Sequence, residues 1–264
     1  MSLLNLEPAN PEPANPEQDR QSLPTSDELP CSDDTPVDNE DQNFLPNFLL
    51  FLLELIWRDR LDWYFGVDMA IYHTTSTNPR VPVVPDGFLS LGIERRKQGK
   101  SRKSYVMWEE DDIAPILTLE MVSHTPGGEY DKKMRLYARL GVTYYIIYNP
   151  EFWQRDQHQP FEAYKLVDGV YQRQPGEPFW MPEIGLGMGR HTRWFGRVER
   201  EVLYWFGPDQ QRYLAADERV IAADQRAIAA EHQVEQARSQ LEQLQAQLRG
   251  LGIEPNHPEP KSEQ

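Results

Sequence analysis

Two carboxylates and a lysine in the middle of the chain have the types and spacing that suit phosphate chemistry. Asp86 follows a proline at the end of one apolar segment, Glu120 lies near the end of another, and Lys133 comes thirteen residues later. Carboxylate oxygens suit Mg²⁺, which is often held by one or two protein carboxylates beside a substrate phosphate. A nearby lysine can orient an attacking water or neutralise developing charge. The combination therefore predicts a divalent metal site next to a scissile phosphate.

The position of Glu120 within an apolar run strengthens this interpretation. Residues 113–123 are almost entirely apolar up to Glu120, which is typical of a buried strand. A carboxylate in such a run is costly unless it is paired or bound to a metal. Taken one at a time, the three residues have ordinary alternatives: a turn residue for Asp86, an acid paired with an arginine for Glu120, and a solvated helix residue for Lys133.

The elements that must position these residues predict one α/β domain over residues 43–213. A helix is expected from Asn47, which can cap it, to about Arg60, because leucines and an isoleucine recur there at helical spacing. A second helix is expected at 131–140, ended by Gly141. Strands are predicted at 63–72, 81–91, 104–108, 113–123, 143–149, 161–167, 170–174 and 198–206. The strand, helix, strand order of 113–149 implies two adjacent parallel strands within a mixed sheet.

The two ends of the chain differ in composition from this domain. Residues 1–42 carry eleven acids against one base, with seven prolines and no aromatic residue, which predicts a disordered acidic tail. Residues 214–252 are rich in Ala, Gln, Glu and Arg and predict a long helix; residues 253–264 form a second disordered tail. Apolar residues recur every seven positions in the helix, with a six-residue step from Ile228 to Val234. We therefore expect an interrupted coiled coil that forms a homo-oligomer or folds back on its own domain.

Charge and cysteine content set bounds on function and location. The net charge is −15 and the pI about 4.8, but residues 43–213 carry 22 acids and 21 bases, so the acidity belongs to the ends. A nucleic-acid substrate is therefore not excluded. Cys31 is the only cysteine, which fits a reducing compartment. No signal-peptide pattern opens the chain and the apolar segment 48–57 is too short to span a membrane, so a cytoplasmic protein without membrane contact is predicted.

One segment concentrates positive charge close to Asp86 in the sequence. Residues 95–103 hold six bases in nine positions. Each phosphate contact by such a base would add salt-dependent affinity for nucleic acid. The candidate nucleic-acid contacts are Arg95, Arg96, Lys97, Lys100, Arg102 and Lys103. The four acids at 109–112 equally fit a loop whose charges are balanced internally.

Three motifs, taken in order, resemble a known bacterial family. They are residues 84–88 with Pro-Asp, residues 117–123 with Glu120, and residues 131–145 with Lys133. The set is similar to the Uma-two-type restriction endonucleases, a branch of the PD-(D/E)XK nuclease superfamily, over roughly residues 44–206. The resemblance implies a restriction-endonuclease-like mixed sheet flanked by helices, followed here by the coiled-coil-like helix. It also implies a Mg²⁺-dependent endonuclease (Mn²⁺ as an alternative) acting on nucleic acid, with DNA favoured.

The same resemblance assigns roles to individual residues. It makes Asp86 and Glu120 the metal-binding carboxylates, with the backbone carbonyl of Met121 as a further ligand. The superfamily's usual pattern has a lysine two residues after the glutamate, where this chain has Val122. Many members of this branch carry the lysine on the following helix instead, which is where Lys133 stands.

Several alternatives remain open at the level of the sequence. Lys132 could replace Lys133, and Glu54 on the first helix is either an accessory acid or a solvent-facing residue. The whole domain could be a catalytically inactive nuclease-fold module for binding or assembly, oligomerising through residues 214–252. A metal phosphoesterase acting on small nucleotides is a third interpretation.

Overall fold

The computed structural model describes residues 23–31, 39–76, 78–125 and 127–252, and its elements follow one another as an α/β protein. The chain divides into two units, one ending at Tyr213 and the other beginning at Leu214. In chain order the elements are α1 (Glu40–Ile56), β1 (Trp63–Val67), β2 (Ile71–Tyr72), β3 (Gly87–Leu91), β4 (Tyr105–Val106), β5 (Leu117–Met121), a π-helical turn (Glu129–Lys133), α2 (Met134–Leu140), β6 (Tyr144–Tyr148), α3 (Trp153–Asp156), β7 (Phe161–Val167), β8 (Val170–Gln174), β9 (Phe179–Met181), β10 (Leu186–Phe195), β11 (Val198–Phe206) and α4 (Ala216–Gly250).

A mixed six-stranded sheet organises the first unit. Its spatial order is β1-β3-β5-β6-β7-β8. Strands β5 and β6 run parallel, joined through α2, and every other neighbouring pair in this sheet is antiparallel. The predicted fold class, a mixed sheet flanked by helices and followed by a long helix, is confirmed. Strands β9, β10 and β11 form a separate antiparallel sheet, whereas the sequence had placed 198–206 in the same meander as β7 and β8.

Aromatic and aliphatic side chains fill the space between the main sheet and α2. Phe88, Tyr145 and Ile147 from the sheet are fully buried with Tyr137 from α2. All five residues of β5 and all five of β6 are buried. This pattern is expected for parallel strands covered on both faces, whose sequences read as continuous apolar runs. The charged Glu120 therefore lies inside one of the best-packed strands.

Helix α1 begins earlier than the sequence predicted. Its cap is Asn39, whose side-chain oxygen accepts hydrogen bonds of 3.0 Å from the backbone N–H groups of Asp41 and Gln42. The prediction of a start at Asn47 and an end near Arg60 was wrong, because Asn39 supplies the cap in place of Asn47 and the helix ends at Ile56. In the structure Pro46 is buried inside the helix.

The prediction that residues 1–42 are disordered throughout is also corrected. Within the described part of this tail, residues 23–31 lie on the domain surface with Leu29 buried against Tyr72 and Trp108. The Trp108 indole N–H donates to the Pro24 carbonyl at 3.0 Å, and the Tyr72 hydroxyl donates to the Pro30 carbonyl at 2.7 Å. The Ser26 N–H also donates to Glu109 at 2.7 Å, and Asp27 pairs with Lys103 at 2.8 Å, so the segment is held at several points although its average composition is that of a disordered chain. Residues 1–22, 32–38 and 253–264, for which disorder was also predicted, lie outside the described residues.

The second unit consists of one long helix. Helix α4 runs for 35 residues, and the side chain of Glu218 accepts the Ala215 N–H at 2.8 Å at its start. None of its residues is buried. Across the ranges that the structure describes, no helix has the length and apolarity needed to cross a membrane.

Candidate active site

Strand pairing places Asp86 beside Glu120. Strands β3 and β5 are antiparallel with Gly87 opposite Leu119, so the start of β3 and the end of β5 meet at one edge of the sheet. Asp86 immediately precedes β3, and its Oδ2 accepts a hydrogen bond from the Met121 N–H at 2.6 Å. Side chains that directly oppose one another in an antiparallel pair are near neighbours. Two acids that are 34 positions apart in the sequence are thus held next to each other.

Glu120 is held from two sides by α2 and the turn before it. Its carboxylate is almost completely buried, with 1% of the side chain exposed. Oε2 accepts from the Lys133 ammonium at 2.7 Å, and Oε1 accepts from the Tyr137 hydroxyl at 2.5 Å. Lys133 and Tyr137 are four residues apart, which puts their side chains on one face of the helical segment. Both carboxylate oxygens therefore have a donor.

Lys133 reaches the two acids from an unusual piece of helix. It is the last residue of the π-helical turn, which follows Gly128 at a φ of 87°. Such wide turns within helices are frequent at functional sites because they redirect a side chain. The Lys133 ammonium also donates to the Val84 carbonyl at 3.3 Å, so it links β5 to the segment that leads into β3. The alternative residue, Lys132, is exposed on the same turn.

The electrostatics of the site disfavour two negative carboxylates. Burial raises the pKa of Asp86 to about 8, and the neighbouring charge of Glu120 pushes it in the same direction. Burial also raises the pKa of Glu120, against the opposing effect of Lys133 and Tyr137. For Lys133, burial would lower the pKa, but the charge and hydrogen bond of Glu120 outweigh it and the pKa is raised. Glu120 therefore has Lys133 as its cationic partner, whereas the charge of Asp86 is not balanced by an ion pair within the described residues. A bound cation would stabilise the negative form of Asp86.

The donor set fits a hard divalent cation. Asp86 and Glu120 supply carboxylates, and Met121, whose carbonyl is a further oxygen ligand, directly follows Glu120 at the end of β5. Within the described ranges no group of three or more His, Cys, Asp or Glu side chains is placed to hold a metal, and a cation at the two acids would need further ligands from water or substrate. Few protein ligands, all of them oxygens, are typical of Mg²⁺ sites that are completed by water and substrate phosphate.

Three residues near the site were missed by the sequence analysis. Tyr137 was assigned no role, although it comes four residues after Lys133 and this interval already indicated a shared helix face. Gln42 was assigned to the disordered tail, yet its side-chain amide makes a long hydrogen bond of 3.5 Å to the Met121 carbonyl. Glu129, also buried, accepts the Gly127 N–H with both oxygens at 2.9 and 3.0 Å, and its charge adds to the rise in the pKa of Glu120.

Most of the predicted nucleic-acid contacts in segment 95–103 are bound to acids of the same chain. The pairs are Arg95 with Glu54, Lys97 with Glu109 at 2.7 Å, Arg102 with Glu110 at 2.9 Å, and Lys103 with Asp27 at 2.8 Å. Arg96 and Lys100 have no ion pair with an acid in the part of the chain that the structure describes. Internal charge balance, the alternative interpretation of this segment, therefore accounts for four of the six bases.

Two of these arginines have structural contacts beyond their acids. Arg102 has 1% of its side chain exposed and lies 4.7 Å from the centre of the Tyr64 ring. Arg95 lies 4.0 Å from the centre of the Trp63 ring. Glu54 pairs with Arg95 and half of its side chain is exposed, which fits the solvent-facing alternative for this residue.

A mixed sheet with two acids and a lysine at one edge places the chain among restriction-endonuclease-like α/β proteins. A family model described as "Uma2: Putative restriction endonuclease" matches residues 34–193. The chain belongs to this family, and the resemblance drawn from the three motifs is confirmed.

The chain was also compared with solved structures and with curated proteins. A solved structure titled as a putative nuclease belonging to DUF820, from Anabaena variabilis, is similar to 56% of this chain and 74% of its own, with 13% identity and a TM-score of 0.40. No curated protein matches the sequence.

Proposed function

We propose that this chain is a metal-dependent nuclease that hydrolyses phosphodiester bonds in nucleic acid, with DNA as the favoured substrate. The observation that carries the proposal is the placement of Asp86, Glu120 and Lys133 at one sheet edge. Asp86 accepts the N–H of Met121, the residue after Glu120, at 2.6 Å, and Glu120 accepts from the Lys133 ammonium at 2.7 Å. Membership in the family supports nuclease chemistry in general. The choice of residues rests on their geometry.

Asp86, Glu120 and the Met121 carbonyl are the proposed ligands of Mg²⁺ or Mn²⁺. A divalent cation held there supplies Lewis-acid activation of the phosphate and lowers the pKa of bound water. Its charge would also oppose the burial that raises the pKa of Asp86 to about 8, so that Asp86 would be ionised at neutral pH.

Lys133 and Tyr137 are proposed to prepare the site for this chemistry. The Lys133 ammonium is 26% exposed on its side chain, so it can contact both Glu120 and a substrate phosphate or a water beside it. Placed there, its positive charge stabilises negative charge that develops on the phosphoryl oxygens. The Tyr137 hydroxyl donates to Glu120 Oε1 and fixes the orientation of the carboxylate.

The proposal is tested by nuclease assays on single- and double-stranded DNA and RNA with Mg²⁺ or Mn²⁺. Asp86→Ala and Glu120→Ala should abolish cleavage, and Lys133→Met should reduce it by about a hundredfold or more, the scale seen when one charge-stabilising group is lost. Asp131→Ala is the matched control, because it removes an exposed acid from the same turn and should leave cleavage unchanged. If Asp86→Ala and Glu120→Ala cleave as well as the parent, the assignment of these residues is wrong.

A catalytically inactive binding or assembly module is the second candidate, and one observation favours it. Both oxygens of Glu120 are already occupied by Lys133 and Tyr137, and the side chain is almost fully buried. Isothermal titration calorimetry of the full chain with Mg²⁺ separates the two functions. Binding that is lost in Asp86→Ala supports the nuclease, whereas no binding to the parent supports the inactive module.

A further inference from the structure

Helix α4 carries a heptad repeat without interruption. Assigning Val234 and Leu241 to position a and Leu244 to position d, and extending this register in both directions, places only Ala, Val or Leu at every a and d position of the helix. The a positions are Val220, Ala227, Val234, Leu241 and Leu248; the d positions are Ala216, Ala223, Ala230, Ala237, Leu244 and Leu251. A complete apolar a/d seam over this length is the signature of a coiled coil.

An interrupted repeat was predicted from the sequence because only the large apolar residues were assigned to the seam. Ile221 and Ile228 fall at position b, beside the seam, and the alanines occupy the core positions in the first half of the helix. In the second half the seam is formed by leucines and Val234. The step of six residues from Ile228 to Val234 is therefore a step from b to a, and the repeat itself continues through it.

The seam is exposed in the single chain. Val234, Leu241 and Leu244 are each more than half exposed. A helix in water gains most of its stability from packing an apolar face, and isolated helices of polar composition are marginal. A row of exposed leucines along a well-formed helix thus calls for a covering partner.

Charged residues beside the seam specify what that partner is. In this register Arg219 and Arg226 occupy g positions, and Asp224 and Glu231 occupy e positions. In a parallel two-stranded coil each g residue faces the e residue five positions later in the other helix. Arg219 then faces the partner's Asp224, and Arg226 faces the partner's Glu231. Arg226 and Glu231 have no ion pair of their own within the described residues.

We propose that α4 pairs with α4 of a second copy of this chain as a parallel, in-register, two-stranded coiled coil. The remaining g positions are all Gln, and the remaining e positions are Asp217, Arg238 and Gln245. Asp217 lies at the helix start, where the g position that would face it precedes α4, so no like charges face each other along the pair. Antiparallel pairing sets g against g and e against e, so that Arg219 and Arg226 lie opposite glutamines and Arg238 is the one base that can meet an acid. The parallel pair engages both Arg219 and Arg226 with acids, and charge complementarity therefore favours a second copy of the same helix in the parallel direction.

The first test is the oligomeric state of the full chain by analytical ultracentrifugation. The parent should sediment as a dimer at micromolar concentrations, and Leu244→Asp at a core d position should make it a monomer. Ala246→Asp is the matched control, since position f faces away from the seam and the substituted residue is the same. A monomeric parent at 100 μM overturns the proposal, as does a dimer that Leu244→Asp leaves intact.

The second test exchanges charges without touching the core. Arg226→Glu should raise the dimer dissociation constant about tenfold, because two symmetry-related ion pairs become repulsive. The double substitution Arg226→Glu with Glu231→Arg should restore the parent value, since each g–e contact is again attractive. If the double variant is as weak as the single one, the two residues do not face each other and the parallel register is wrong.

The third test reports the direction of the helices. In a chain with Cys31→Ser, a cysteine introduced as Leu244→Cys should form an interchain disulfide on mild oxidation, because equivalent d positions adjoin in a parallel pair. A cysteine introduced as Ala246→Cys serves as the control and should remain reduced. A dimer that does not cross-link through position 244 would show antiparallel pairing or another interface, and either result refutes this inference.

Discussion

Asp86 offers the sharpest test of the electrostatics at the site. Its pKa is raised to about 8, first because the carboxyl group is buried and second because Glu120 lies beside it. The substitution Asp86→Asn keeps the shape and an oxygen that can accept the Met121 N–H, but it removes the titrating proton. In the absence of metal the variant should therefore be more stable than the parent.

The size of this stability difference and its dependence on pH follow from proton linkage. Between the ordinary aspartate pKa of about 4 and the folded value of about 8, the unfolded parent has released this proton while the folded parent keeps it. The folded state binds more protons there, so the stability of the parent falls as pH rises. Relative to Asp86→Asn, the free energy of unfolding of the parent falls by about 1.4 kcal/mol per pH unit. The total decrease reaches on the order of 5 kcal/mol above pH 8.

The assay is urea unfolding of both proteins from pH 5 to pH 9 with a chelator present. Tryptophan fluorescence reports on the first unit alone, because all seven tryptophans precede Leu214. Asp131→Asn is the control, since it makes the same substitution at an exposed acid and should change the free energy of unfolding only slightly. Saturating Mg²⁺ should then stabilise the parent more than Asp86→Asn, because only a ligand that binds the folded state raises its stability.

If the difference in free energy of unfolding between Asp86→Asn and the parent is constant across this pH range, the reasoning is refuted. Such a result would mean that Asp86 is ionised in the folded protein without metal. A difference of the opposite sign, with the variant less stable at pH 8, would mean that the negative charge itself stabilises the fold.

Three further predictions concern contacts away from Asp86. Tyr137→Phe should lower the free energy of unfolding by about 2 kcal/mol in urea titrations, because it removes a hydrogen bond to a buried charged group; an unchanged value would contradict the 2.5 Å contact. Arg102→Gln should cost about 3 kcal/mol, because the buried Glu110 carboxylate would keep only the longer 3.4 Å contact with Lys97, whereas the exposed control Lys100→Gln should stay within about 0.5 kcal/mol; similar values for both would contradict the assignment of Arg102 to the interior. Leu29→Ala should cost about 2 to 3 kcal/mol in thermal unfolding and increase proteolysis near residue 29; parent-like resistance would show that the segment is not docked.

The strands around the site were predictable because their patterns are strong and local. Residues 117–121 and 144–148 are runs of large apolar and aromatic residues, and both are fully buried strands. Glu120 stood out within residues 117–121 because a buried carboxylate needs a hydrogen-bond donor, a cationic side chain or a metal ion beside it. Between the predicted strands 161–167 and 170–174, Asp168-Gly169 is a dipeptide typical of a two-residue hairpin turn, and both residues have positive φ in the structure.

The contacts that the sequence could not reveal join residues far apart in the chain. Glu54 and Arg95 are 41 positions apart, and Asp27 and Lys103 are 76 apart, so local patterns carry no sign of these pairs. The docking of Leu29 was hidden for another reason. A composition averaged over 42 residues describes the whole tail, and one buried side chain does not change that average. The π-helical turn was likewise unpredictable, because Glu129–Lys133 reads as an ordinary polar helix start.

The internal pairing of segment 95–103 has a consequence for how this face would meet a polyanion. A protein that binds duplex DNA displaces condensed counterions in proportion to the phosphates it neutralises, with a slope of about −0.9 per contact in a double-logarithmic plot against salt. Six available cations would give a slope of about −5, whereas Arg96 and Lys100 alone would give about −2. Binding at this face should therefore weaken only gently as ionic strength rises.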